Sequence, residues 1–265
     1  MDDVVLHDRL AVAPWLDPAA WRLPGVQPLD PGTWLVRDEA YAGQMALRDR
    51  LIAERGAEVV ALLPEVQEAA GECYDLVLAA LEEDRGYRFD AGNALRPDGV
   101  TVALDRARPL ATLGRLMQAD VCLMQPGAGG HVLTGAVLCF PAGWTLAEKI
   151  GRPLPGIHGP VAEYDAALAH RVQRLFNAMR PEQVLWRANA ILHDDPRLFT
   201  PRREADKASL VRGGRGRYLR SEWQTLRKLP DSGAVVFTIH TTMIAVARLS
   251  EAQRAGIAGS GMKAG

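Results

Sequence analysis

The sequence has little cysteine, no surplus of basic charge and no long apolar run, and each shortage excludes a class of protein. Its 265 residues include 3 cysteines, 31 basic and 32 acidic side chains. Cys73, Cys122 and Cys139 form no CxxC pair for zinc or an iron–sulfur cluster, and their scarcity is typical of a reducing compartment. A formal net charge of -1 leaves no basic surplus to neutralise a phosphate backbone, so we expect no nucleic-acid binding.

Signals for export and for nucleotide binding are also missing. Acidic Asp2 and Asp3 stand where a signal peptide would be basic, and no apolar run approaches the roughly 18 residues that cross a bilayer. We therefore expect a cytoplasmic protein that does not bind membranes. The glycines of residues 126–130 lack the spacing of a phosphate-binding loop, so we interpret them as a hairpin turn.

Hydrophobic periodicity divides the chain into a helical front and a sheet-rich back. Apolar spacing of three and four predicts two amphipathic helices within residues 38–81, after a proline-rich arm pinned by tryptophans. Strands are predicted at residues 119–124, 131–140 and 184–192, and two more in residues 218–242. The expected fold is α+β, a PAS-like antiparallel five-stranded sheet with helices, because two strands, helices and three strands follow in the element order of PAS-type domains.

This pattern predicts three regions. Residues 1–115 are an N-terminal arm and helical region, residues 116–246 the PAS-like domain, and residues 247–265 a flexible tail.

The most informative segment is the ribbon of residues 218–242, two strands joined by a Pro-Asp-Ser-Gly turn. Arg220, Glu222 and Gln224 alternate along the first strand and therefore share one face. In the plain interpretation this polar face of a half-exposed hairpin meets water. In the alternative interpretation it lines a binding cavity.

Several short motifs occur in one order over residues 34–242. They are Asp38-Glu-x-Tyr41, Leu138-Cys-Phe-Pro141, Glu148-Lys-Ile-Gly-Arg-Pro-Leu154, Ile157-His-x-Pro-Val161, Arg187-x-Asn189, His193-Asp-Asp-Pro196, Glu222-x-Gln-Thr-Leu226 and Leu229-Pro-x-Ser-Gly-Ala234. Together they resemble the haem-dependent oxidative N-demethylase family.

The resemblance implies a catalytic subunit that binds haem b and uses O2 to oxidise small secondary amines. It also implies that electrons arrive from separate flavin and iron–sulfur subunits. Neither a flavin nor a cluster is expected in this chain, since it has no dinucleotide fingerprint and no cluster cysteines.

The resemblance implies that His158 is the haem-iron ligand, and the prolines and glycines that bracket it would hold it on a defined loop. Without the resemblance, the flanking residues fit equally a histidine that only forms hydrogen bonds within a rigid loop. His240, on the last strand, is the alternative ligand or a distal-pocket residue. Lys149 and Arg152 are candidates for binding haem propionates, although both could be solvated surface charges. We interpret His193 and the Asp-Asp-Pro that follows it as a turn.

The resemblance implies that Arg187, Asn189 and Glu222 are catalytic residues. It also implies that Arg220 and Gln224 help to bind the cofactor. Arg and Asn donors stabilise negative charge, and a carboxylate such as Glu222 holds an ammonium or relays protons.

Ala119, Ala190 and Thr242 depart from the family pattern, which suggests an enlarged cavity and a larger or less basic substrate. A haem or small-ligand sensor and a non-catalytic subunit are the alternative functions.

Overall fold

The computed structural model describes residues 3–158, 166–209 and 216–262, with only the backbone of His158 and of residues 207–209. Within these ranges the strands are β1 (Gln27–Leu29), β2 (Val60–Leu62), β3 (Arg88–Asp90), β4 (Asn93–Leu95), β5 (Thr101–Ala103), β6 (Asp120–Gly127), β7 (Gly130–Val137), β8 (Val184–His193), β9 (Tyr218–Lys228) and β10 (Val235–Ala245). The helices are α1 (Pro18–Trp21), α2 (Tyr41–Glu54), α3 (Gly56–Val59), α4 (Gln67–Glu82), α5 (Pro109–Gly114), α6 (Leu154–His158), α7 (Ala166–Ala178) and α8 (Glu251–Gly259).

Seven strands form one antiparallel sheet in the order β1-β8-β9-β10-β6-β7-β2. Its five long strands are those predicted from the sequence, so the α+β class is confirmed. The sheet has seven strands rather than five, because β1 and β2 of the N-terminal region pair with its two edges. Each is only three residues long and carries too few positions for a recognisable period of two. Strands β3, β4 and β5 form a separate small sheet.

The two faces of the large sheet pack against different helices. Along β6, Val121 and Leu123 join the main core, which includes buried residues of α2, α4 and α5. Cys122 and Met124 alternate with them and face the opposite side, against residues of α6 and α7. The five long strands are therefore covered by helices on both faces.

A buried ion pair fixes α2 to the sheet. Arg48 Nη1 donates to Asp120 Oδ1 at 2.7 Å, and both side chains are fully buried. The Asp120 carboxylate also accepts the backbone N–H groups of Cys139 and Phe140. This carboxylate thus connects α2 with the end of the β6–β7 hairpin.

The C-terminal segment differs from the predicted flexible tail. Ser250 and Gln253 form a reciprocal capping box that begins α8. The indole N–H groups of Trp15 and Trp21 donate to the carbonyls of Gln253 and Ser260, at 3.0 and 2.8 Å. The arm and α8 therefore stabilise each other, through contacts between segments far apart in sequence.

None of the described helices is long and apolar enough to cross a bilayer.

Candidate functional site

A cavity of about 490 Å³ lies between the large sheet and helices α6 and α7. Its volume is in the range of small-molecule and cofactor sites. Its apolar wall consists of Leu23, Pro24, Val26, Cys122, Met124, Leu133, Leu138, Phe140, Ala142, Trp144, Leu154, Ile157, Leu168, Val172, Leu175, Phe176, Ile191, Leu226, Phe237 and Ile239. Its polar groups are Lys149, Arg187, Asn189, His193, Arg220, Glu222 and Gln224.

Strand alternation explains why the polar groups meet. Arg220, Glu222 and Gln224 occupy alternate positions of β9 and point into the cavity. The antiparallel register of β8 sets Asn189 opposite Glu222 and Arg187 opposite Gln224. The structure thus brings together all five candidate residues that the sequence placed on β8 and β9.

These side chains form a continuous row of hydrogen bonds. Arg187 Nη1 donates to Gln224 Oε1 at 2.5 Å, and Gln224 Nε2 donates to Glu222 Oε2 at 2.9 Å. Arg220 Nε donates to Glu222 Oε1 at 3.0 Å. A carboxylate offers about four acceptor positions, so Glu222 keeps capacity for donors from a ligand.

The two arginines have different roles in this row. Arg220 also donates to the backbone carbonyls of Phe140 and Leu198, so it holds Glu222 against the protein frame. Arg187 donates through Nε to the carbonyl of Pro24 in the arm. Burial lowers the pKa of the Arg187 guanidinium from its usual range, and the Glu222 carboxylate opposes this shift.

His193, which the sequence indicated only as part of a turn, ends β8 on the cavity side. Its Nε2 is buried and has no hydrogen-bond partner among the described residues. Burial, and then the charge of Arg220, lower the pKa of its imidazole, which favours the neutral ring. A neutral ring with an unsatisfied buried nitrogen is suited to binding a metal or a ligand proton. His193 is six positions after Arg187, so the period of two along β8 could have placed it on the same face of the strand.

The predicted propionate-binding residues lie beside α6. Lys149 is buried at the cavity wall, where Nζ donates to the carbonyl of Ile157 at 2.8 Å and pairs with Glu204. Arg152 is exposed, 3.6 Å from Glu204, and does not line the cavity. His158 ends α6, and its side chain lies outside the described residues. Lys149 therefore anchors the turn that carries His158.

His240, the alternative ligand, lies on the opposite face of the sheet from the cavity. Phe237 and Ile239 line the cavity, so the alternation of β10 turns His240 away from it. Its two ring nitrogens lie 2.8 Å from the carbonyl of Gln118 and 2.8 Å from Asp38 Oδ2. A pattern of period two identifies which residues share a face, but it does not identify the face.

The three departures from the family pattern also lie away from the cavity. Ala119 belongs to the main core, and Ala190 packs with Leu10 and Trp15 of the arm. Thr242 is two positions after His240 on β10, so its side chain also points away from the cavity. The expectation that these substitutions enlarge the cavity is therefore corrected, because none of the three residues lines it.

The cavity residues fit haem. The apolar wall suits a flat macrocycle, the unsatisfied Nε2 of His193 offers a nitrogen ligand, and buried Lys149 offers a cation for a carboxylate. A family model described as haem-dependent oxidative N-demethylase, alpha subunit-like, matches residues 25–259, which include all seven strands of the large sheet. With a match of this extent, the chain belongs to the haem-dependent oxidative N-demethylase alpha-subunit-like family.

Proposed function

We propose that this protein is an oxidative enzyme that binds haem b and uses O2 to oxidise an amine or a related nitrogen compound. This proposal rests mainly on the Glu222 carboxylate, which lies in a cavity with a largely apolar wall and can accept further hydrogen bonds. The described cavity residues place this carboxylate between Arg220 and Gln224, and an apolar wall with such an oriented acceptor favours a ligand that combines alkyl groups with N–H donors. A small protonated amine has both.

The chain's own residues bind and orient that substrate. Glu222 accepts the ammonium N–H and holds or returns a proton at a carboxylate oxygen during turnover. Arg187 and Asn189 present polar groups on the neighbouring strand, where donors stabilise negative charge that develops on a reacting oxygen. The apolar wall excludes water from the reacting atoms. When bound, haem supplies the activation of O2 and the one-electron chemistry.

Two histidines are candidates for the ligand of the haem iron. His158 is proposed from the resemblance, and Lys149 supports it by anchoring the turn at Ile157. His193 is the second candidate, because its Nε2 is buried and unsatisfied among the described residues. Lys149, at the cavity wall, is proposed to contact a haem propionate, which would share its ammonium group with Glu204. Arg152 does not line the cavity and is proposed to contact only a propionate that extends out of it.

The same proposal includes a PAS-like scaffold, a cytoplasmic location and a separate flavin and iron–sulfur reductase that supplies electrons for a monooxygenase-type reaction. The scaffold is supported by the element order, in which two long strands, then α6 and α7, then three long strands follow one another. Electron balance requires the reductase. When one atom of O2 is inserted into the substrate and the other is reduced to water, two electrons have to come from a donor other than the substrate.

Haem reconstitution followed by absorption spectroscopy tests the cofactor. We expect a Soret band in the wild type and in His170→Ala, a matched control on the exposed surface of α7. Loss or displacement of the band in His158→Ala or in His193→Ala identifies the ligand. A protein that stays colourless after reconstitution refutes the proposal. Stable haem binding without turnover of any N-methyl amine, with a reductase present, would indicate a sensor or a non-catalytic subunit.

A further inference from the structure

His7, Asp38 and His240 form a compact cluster on the sheet face opposite the cavity. His7 belongs to the arm, Asp38 precedes α2 and His240 lies on β10. Asp38 Oδ2 is 3.0 Å from His7 Nε2 and 2.8 Å from His240 Nε2. One ligand atom from each residue lies within 4.8 Å of the other two. Two imidazoles and a carboxylate are a common set of ligands for transition metals.

The hydrogen bonds of His240 indicate what occupies this cluster. Its Nδ1 lies 2.8 Å from the backbone carbonyl of Gln118, which only accepts, so Nδ1 carries the proton. In a neutral ring, Nε2 then presents a lone pair towards a carboxylate oxygen 2.8 Å away. Two acceptors at this distance repel each other unless a cation joins them. The cation is either a second proton on the ring or a metal ion.

The surroundings match those of metal ligands. Ligand atoms about 2.1 Å from a tetrahedral metal ion lie about 3.4 Å apart, so the observed 2.8 and 3.0 Å have to widen by only about half an ångström to admit the ion. Each ligand also has an outer hydrogen-bond partner, as is typical of metal sites. His240 has the Gln118 carbonyl, and Asp38 Oδ1 accepts from Gln118 Nε2 at 2.6 Å. His7 Nδ1 lies 3.3 Å from the Met243 carbonyl and accepts the Met243 backbone N–H at 3.2 Å.

The burial pattern leaves one side of the cluster accessible. Both histidines are almost fully buried, whereas the Asp38 side chain is 19% exposed. An ion at this position completes its coordination with water from that side, as a site with three protein ligands requires.

We propose that His7, Asp38 and His240 bind one divalent transition-metal ion of the Zn²⁺ and Co²⁺ type. The ligands come from three segments separated by 31 and 202 positions in the sequence. The bound ion therefore links the arm to the start of α2 and to the middle of the sheet, and its binding energy adds to the stability of the fold. The site is separate from the haem cavity, because His240 points away from it.

Metal titration of the untagged protein tests this site after treatment with a chelator. Calorimetry with Zn²⁺ is expected to give one equivalent bound, and an excess of about 100-fold over Kd is expected to raise Tm by about 5–10 °C. His170→Ala, which removes an exposed histidine, is expected to behave like the wild type. His7→Ala and Asp38→Asn are expected to lose at least 10-fold in Zn²⁺ affinity. The Soret band of the reconstituted protein is unchanged by Zn²⁺.

X-ray absorption at the zinc edge of the loaded wild type gives a readout that does not depend on variants. We expect two imidazole nitrogens among light N/O ligands. No bound Zn²⁺ would overturn the proposal and leave a protonated histidine clamp on Asp38. Unchanged affinity in both variants, or fewer than two imidazoles at the zinc edge, would overturn it as well, because the ion would then lie elsewhere.

Discussion

Replacing Glu222 with glutamine removes the one carboxylate among the described cavity residues while preserving the shape of the side chain. The amide oxygen of the new side chain still accepts from Arg220, but its NH2 group would face the NH2 group of Gln224. Gln224 relieves this conflict only by turning its amide, and it then loses the bond from Arg187. Two buried guanidinium groups are left without an anion.

The contacts of Glu222 determine how much stability and how much activity the substitution should remove. Breaking a buried pair costs about 3–5 kcal/mol, and the carbonyl bonds that Arg220 retains reduce the expected loss of stability to about 2–3 kcal/mol. A hydrogen bond from a charged group contributes about 1.5–3 kcal/mol. For a protonated amine that binds Glu222, the expected loss in kcat/KM is therefore about 10- to 100-fold.

The assay is formaldehyde release from N-methyl amines in the presence of a reductase, together with unfolding in urea. Ser221→Ala is the matched control, because Ser221 is the next residue of β9, faces away from the cavity and bonds the carbonyl of Asn189. We expect its kcat/KM to stay within about twofold of the wild type. A folded Glu222→Gln protein with unchanged kcat/KM would refute the role of the carboxylate, and Glu222→Asp should recover part of the activity if that role holds.

Three further predictions concern stability. Burial lowers the pKa of His193, so the unfolded chain binds more protons below about pH 6.5, and the free energy of unfolding should fall from pH 7 to pH 5, by at most about 1.4 kcal/mol per pH unit for this group. Urea unfolding of His193→Gln should show a smaller fall. Asp120→Asn should lower the free energy of unfolding by about 3–5 kcal/mol, because it leaves Arg48 buried without its anion. Gly114→Ala should lower it by about 1–3 kcal/mol, since the added Cβ would lie 2.5 Å from a methyl group of Val137.

Each of these changes has a matched control. His170→Gln should keep the pH dependence of the wild type, because His170 is exposed. Asp75→Asn removes a carboxylate from an exposed pair with Arg106 and should leave stability close to the wild type. Gly259→Ala adds a Cβ with nothing within 4 Å in α8 and should be neutral or stabilising. If Asp75→Asn and Asp120→Asn lowered the free energy of unfolding equally, burial of the Arg48–Asp120 pair would not explain its contribution to stability.

The sequence predicted the long elements well, because their patterns are long enough to read. Strands β8, β9 and β10 each extend over ten or eleven residues, and α4 buries residues at helical spacing. It also grouped Glu222 with Gln224 and Arg187 with Asn189, because alternate residues of one strand share a face. That the two groups meet depends on the register of β8 and β9, which the sequence did not reveal. The short strands β1 and β2 were missed, since three residues carry almost no pattern.

What the sequence did not reveal depends on contacts between distant segments. The side to which a strand face turns is decided by packing, so His240 and Glu222 could not be assigned to opposite faces. The Asp-Asp-Pro beside His193 predicts a turn, and this local signal outweighs the period of two that would place His193 on the strand. The pairing of His7 with Asp38 joins residues 31 positions apart, and neither residue has a local pattern that indicates the other.

The short edge strand β1 has a consequence for the order in which the protein is made. Residues 27–29 leave the ribosome early, but their partners in β8 begin at residue 184. At about 5–20 residues per second, about 10–30 s pass before the two segments coexist outside the ribosome. During this interval the tryptophan-rich arm also lacks α8, which follows β8 in the chain. The nascent chain therefore exposes the tryptophans of its arm until β8 and α8 have been synthesised.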